Sequence, residues 1–174
     1  MIVVIGARGT IKNIDSFVEH LLLFSKKENL VIQAFDATVI YGKDHLISAT
    51  THAQRAFEQG RNATNSLALE ILLYAAGERQ IQRAIQKIGV KKGEQAIAFV
   101  IINDMTLKTK SHIEKAVIQK LLTTFHLTSD DTVLEGNRTT LKKFGITEKE
   151  ISTVPESNYG DLILEKVALV DIIK

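Results

Sequence analysis

The sequence predicts a mixed α/β fold in one domain over residues 1–174, a small mixed sheet packed with about seven helices. Three observations carry this. Ile2–Gly6, Val31–Phe35 and Ala96–Ile102 are short apolar runs, largely β-branched, of the kind that buried strands show. Between and after them lie longer stretches whose apolar residues recur at helical spacing. The chain of 174 residues is 45% hydrophobic with one proline and ten glycines, which suits one core and leaves no room for a disordered linker.

In chain order, Ile2–Gly6 reads as a buried strand. Asp15 is placed to cap a helix through Lys26, with Phe17, Val18, Leu21, Leu22 and Phe24 facing inward, and Glu28 and Asn29 end it. Val31–Phe35 is a second strand, resuming through Thr38–Tyr41. A helix follows from Asp44 to Gln59, with Leu46, Ala49, Ala53, Ala56 and Phe57 on its apolar side, and Gly60 suits its left-handed stop. Thr64 or Asn65 is the expected cap of the next helix, Leu67–Ala76, where only Glu70 is polar; a helix apolar all round belongs inside a protein. Gly77 breaks it. Ile81, Ala84, Ile85 and Ile88 then mark the apolar face of an amphipathic helix that Gly89 ends. Ala96–Ile102 is the most strand-like run. Asn103–Lys110 is a polar loop, Ser111–Phe125 an amphipathic helix, Thr139–Phe144 a short helix stopped by Gly145, and Thr147–Glu150 begins another turn. Asp161–Ile172 is the last helix.

Composition excludes several chemistries. Without cysteine there is no disulfide, zinc–thiolate site or cysteine nucleophile. A net charge of +2 permits nucleic-acid contact only through a local patch. The N-terminal apolar run is too short for a signal peptide, and no run approaches the roughly 20 residues of a spanning helix, so the expectation is a cytoplasmic protein with no membrane contact.

Motifs add little catalytic content. Gly6-Ala7-Arg8-Gly9 follows a strand but lacks the spacing of a dinucleotide or phosphate loop, and reads as a strand-ending turn. His45 and His52 share a helix face without the carboxylates or spacing of a metal site; His45 is expected to anchor the helix start by hydrogen bonding. No G-x-S-x-G elbow occurs. No catalytic residue, metal or cofactor is assigned. What remains is basic: Arg79, Arg83 and Lys87 recur every four residues opposite Ile81, Ile85 and Ile88. By spacing alone this is a solvated face. Arg61 and Asn62, just before the N-terminus of the buried helix, favour an anion-binding edge instead, because helix N-termini attract anions.

Arg61-Asn62, then Glu70-Ile71-Leu72-Leu73-Tyr74 with Gly77, then Arg79-Gln80-Ile81, Ala84-Ile85 and Gly89 resemble one family closely. Phe35-Asp36-Ala37, His45-Leu46 and Leu162–Ala168 are similar to it too. It is the PRPK-binding subunit of the KEOPS (EKC) complex, the small partner of the Bud-type atypical kinase. The resemblance implies a non-catalytic subunit in threonylcarbamoyladenosine modification of tRNA. Such a subunit binds the kinase and holds the single-stranded CCA end of tRNA, which places Arg61, Asn62, Arg79, Arg83 and Lys87 as RNA-binding residues. Two alternatives stand beside it: a kinase-binding scaffold that never touches RNA, and a small nucleotide-binding enzyme using the Gly6–Gly9 turn.

Overall fold

The computed structural model describes residues 1–106 and 112–173. Strand β1 is Ile2–Ile11, β2 is Leu30–Asp36, β3 is Gly93–Asn103 and β4 is the two-residue Thr128–Ser129. They form one sheet in the order β2-β3-β1-β4. The mixed α/β class holds, but the sheet expected to be mixed is antiparallel in every pairing. Among the described residues eight α-helices surround it: α1 Ile14–Lys27, α2 Gly42–Glu58, α3 Leu67–Ala76, α4 Ile81–Ile88, α5 Lys115–Thr124, α6 Arg138–Phe144, α7 Glu148–Ile151 and α8 Tyr159–Leu169.

Alternation along the strands divides the core in two. Val4, Phe35, Ala98, Val100 and Ile102 pack against α2, α3, α4, α6, α7 and α8. Ala7, Ile32, Ala34, Ile97, Phe99 and Ile101 face α1 and α5, where Phe17 and Phe24 meet Phe125 edge-on at 5.2 and 6.2 Å. Covered on both sides, β3 needs the continuous apolar run that marked it in the sequence. No helix among the described residues is long and apolar enough to cross a membrane.

Several expectations are corrected. Gly6–Gly9 is not a turn. Both glycines lie inside β1, opposite Ala98 and Gln95. They are needed because residues 126–131 cross over the strand: a Cβ on Gly6 would sit 2.5 Å from the Asp130 carbonyl oxygen, and one on Gly9 2.3 Å from Leu127 Cδ2. The Gly6 N–H donates to Asp131 Oδ1 at 2.8 Å, so the amide a phosphate loop would offer is occupied. Asn13, not Asp15, caps α1 by accepting the Ser16 N–H at 2.9 Å. Val18 and Leu22, expected inward, are about half exposed at 52% and 55%, because only the stripe of Phe17, Leu21 and Phe24 meets the sheet and α5. After β2, the Asp36 carboxylate accepts the Thr38 N–H and bends residues 37–39 into a 3₁₀ turn where a resumed strand was expected. Ser66, not Thr64 or Asn65, caps α3. The last helix ends at Leu169 rather than Ile172. Residues 107–111, covering part of the expected polar loop and the expected start at Ser111 of the following helix, lie outside the described residues.

Candidate nucleic-acid interface

The five basic and amide residues singled out by the sequence lie along one stretch of chain: the loop closing α2, then α3, then the Gly77 turn into α4. Gly60 adopts φ +65° and the Arg61 N–H donates to the Ala56 carbonyl at 2.8 Å, so the end of α2 fixes where Arg61 starts. The rest of the loop is held from beneath by Glu70. This carboxylate, only 2% exposed, accepts the Ala63 and Thr64 N–H groups at 3.0 Å each and lies 3.0 Å from Thr64 Oγ1. A buried carboxylate is tolerable only with such charge-assisted partners. The one charged residue of an otherwise apolar helix is thus the loop's anchor, a role its isolation in the sequence signalled but did not specify.

The same geometry alters the expected use of the α3 N-terminus. Ser66 caps Leu69 at 3.3 Å, and the Glu70 charge sits behind the loop. The helix end is therefore not an open anion cradle, and cationic side chains must supply any grip. Arg61 is exposed and hydrogen bonds the Gln59 side chain, while half-buried Asn62 spends its amide on the Thr64 carbonyl at 2.9 Å.

A second polar cluster, which the sequence did not reveal, joins α2, α3 and the segment after α8. Tyr74, fully buried on α3, donates its hydroxyl to Asp171 Oδ1. His52 on α2 places Nδ1 3.0 Å from Asp171 Oδ2 and stacks on the Tyr74 ring at 5.6 Å. Burial alone would raise the Asp171 carboxyl pKa. The hydrogen bonds from Tyr74 and His52, with the nearby charges of His52 and Arg61, instead hold it below its ordinary value. Burial first, and the Asp171 carboxylate second, push the Tyr74 hydroxyl far up. His45, one face along α2, is wholly buried. Its Nδ1 accepts the Tyr41 N–H at 3.1 Å and its Nε2 donates to the Ala75 carbonyl at 2.8 Å, so the anchoring role at the helix start is met. Among the described residues no group of three or more His, Asp or Glu is placed to hold a metal.

On α4 the three basic residues part company. Arg83 is exposed and Arg79, in the preceding turn, half-buried; neither forms an ion pair with a described residue. Lys87 turns inward. Its Nζ lies 4.0 Å from the centre of the Phe144 ring and 3.9 Å from Glu78 Oε1, and burial lowers its pKa against the pull of Glu78. Only Ala84 and Ile88 are buried on this helix; Ile81 and Ile85, expected inward, are 37% and 47% exposed. The rim thus carries free guanidinium groups beside bare isoleucines. An open groove of about 780 Å³ lies elsewhere, lined by Arg8, Lys12, His20 and His126, but Glu94 shares it and Arg8 is bound to Asp130 at 2.8 Å, so its charge is mixed.

A family model described as "Kinase binding protein CGI-121" matches residues 10–171. The chain is also similar to the "KEOPS complex subunit Cgi121" of Pyrococcus abyssi (strain GE5 / Orsay), 40% identical over 70 residues. That stretch covers 40% of this chain and 41% of the relative, less than half the length of either.

Proposed function

The chain belongs to the CGI-121 family of kinase-binding proteins, and from that premise we propose that it is a non-catalytic KEOPS subunit that binds the Bud-type kinase and recruits tRNA by its single-stranded CCA end. It works in the cytoplasm, in threonylcarbamoyladenosine modification, with the reactivity supplied by its partners. The observation that carries the RNA half is the α4 rim, where Arg79 and Arg83 form no ion pair with a described residue and Ile81 and Ile85 stand exposed beside them. Single strands are held by cationic contacts to phosphate together with packing of base faces on flat or apolar side chains. Tyr74 is buried and unavailable for stacking, so the isoleucines are the apolar surface on offer.

Binding of tRNA to the chain tests this. About three phosphate contacts, from Arg61, Arg79 and Arg83, give a log K versus log salt slope near −2, from roughly 0.7 per contact on single strands. The double substitution Arg79→Glu with Arg83→Glu abolishes binding while thermal melting is preserved. Equal affinity for tRNA with and without its CCA end removes the proposal.

One observation favours the scaffold reading without RNA. Val18, Leu22 and Leu23 on α1 are 52%, 55% and 56% exposed, an apolar face suited to a protein partner. Leu22→Asp with Leu23→Asp then releases the kinase in pull-down, and the scaffold reading alone survives if the chain forms that complex yet shifts no RNA.

A further inference from the structure

Three elements meet at the C-terminal end of β1, on the face of the sheet that α1 and α5 cover rather than the face that packs α4. The strand ends at Ile11, Asn13 caps α1, and α5 stops at Thr124, after which His126 adopts φ +55° and turns the chain back toward β1. The return is brief. β4 faces only Ala7 and Arg8, and the Asp130 N–H then donates to the Gly6 carbonyl at 2.9 Å. Main-chain groups alternate sides along an antiparallel strand. Thr10 therefore turns its N–H and carbonyl to the same outer side as Gly6 and Arg8, out of reach of β4. The groove of about 780 Å³ opens over this unpaired strand end, with Thr10, Lys12, His20 and His126 in its lining and the core residues Ile11 and Phe17 in its wall.

We infer that this groove binds the phosphate group of a small molecule, a phosphate ester of about nucleotide size. The side chains of Lys12, His20 and His126 are exposed, and none forms a hydrogen bond or ion pair with a described residue. One ammonium, two imidazole rings that present an N–H in either charge state, and the Thr10 N–H are donors of the kind that phosphate oxygens accept from. The charges favour a small ligand over a nucleic-acid strand. Asp130 neutralises Arg8 at 2.8 Å and Glu94 offsets Lys12, so no continuous cationic track for a polyanion runs along the groove. Glu94 instead offers an acceptor to a ligand hydroxyl, and half-buried Phe125 a wall for the organic part. The volume falls within the roughly 300–1,000 Å³ of small-molecule sites. The site goes beyond the kinase and tRNA reading and does not depend on it.

Calorimetric titration of the full chain with ribose 5-phosphate, AMP and inorganic phosphate tests this, with adenosine as the phosphate-free control. The two esters are expected to bind saturably and adenosine not at all. Inorganic phosphate binding as tightly as the esters, or more tightly, also supports the site and makes free phosphate its source. Lys12→Gln and His20→Gln are each expected to weaken binding about fivefold or more, for the loss of one charge-assisted contact. His126→Asn, which tolerates the left-handed backbone, is expected to do the same. All three side chains are exposed, so the variants are expected to melt like the parent; should one fail to fold, the other two decide. Lys149→Gln, on α7, leaves the affinity unchanged. The inference is overturned if none of the three phosphates binds saturably at millimolar concentration, if adenosine binds as well as AMP, or if the folded variants all bind like the parent. It is equally overturned if single-stranded RNA binds the groove, as judged by its loss in Lys12→Gln, while the small phosphates fail to compete with it.

Discussion

At the scale of single residues, Glu70 shows how one buried charge shapes a functional loop. Its two oxygens take three donors from Ala63 and Thr64, so replacement leaves the buried Thr64 N–H and the part-buried Ala63 N–H without that partner. Glu70→Ala is expected to lower unfolding free energy by about 2–4 kcal/mol, because an unsatisfied buried donor costs about 1–3 kcal/mol. Urea denaturation measures the loss. The same variant is expected to weaken RNA binding, since Arg61 and Asn62 lose the floor that holds them. The sequence marked Glu70 as the odd residue in an apolar helix, but its partners lie in the preceding loop rather than on the helix, and no periodicity reports that. Asp171 was less visible still: its partners Tyr74 and His52 are 97 and 119 residues away.

At the scale of elements, α4 is where local pattern and packing diverge. Its 3.6-residue period is evident in the sequence, yet the period cannot say how wide a stripe the neighbours cover. They cover Ala84 and Ile88, leaving Ile81 and Ile85 outside and drawing Lys87 onto Phe144 of α6. The consequence is unequal basic residues. Lys87→Met is expected to change RNA affinity less than twofold, whereas Arg83→Glu alone weakens it about tenfold; filter binding with CCA-ended RNA separates them. A larger effect from Lys87 than from Arg83 contradicts the assignment. In β1, Gly6 is equally a matter of neighbours. Gly6→Ala drives a Cβ to 2.5 Å from the Asp130 carbonyl, a backbone atom with no easy retreat. Overpacking of this kind costs about 1–3 kcal/mol, and calorimetry of the variant tests it.

At the scale of the whole molecule, the sheet separates two cores, and the side packed by α2, α3, α4, α6, α7 and α8 carries the titratable groups that set acid stability. Burial lowers the His45 pKa from its ordinary 6.5 to about 4, with the Ala75 carbonyl opposing and Lys87 adding to the fall. The unfolded chain therefore takes up the proton first. The contribution is complete above about pH 6.5 and is lost as pH falls toward 4, a change on the order of 3 kcal/mol. Glu150, bonded first by Lys166 of α8 and then by the Thr147 N–H, has its carboxyl lowered from 4.5 to about 2. Its contribution is present above about pH 4.5 and lost below it, and partial exposure keeps it small. Stability is thus expected to drop in two adjoining steps on acidification, and His45→Leu, though less stable overall, flattens the upper one in urea melts across pH. By itself the sequence determined the three long strands, the helices flanking α3, the glycine stops at positions 60, 77 and 145, the family resemblance and the choice of Arg61, Arg79 and Arg83 as candidates, because these follow from local period, turn chemistry and composition. Only the tertiary structure decided that Gly6 and Gly9 sit under a crossing segment, that Lys87 turns inward while two isoleucines stay bare, and that Asp171 bonds Tyr74 and His52. The reason is that exposure and hydrogen-bond partnership depend on groups about a hundred residues distant, such as the 125 between Gly6 and Asp131, and no local pattern encodes which distant surface arrives.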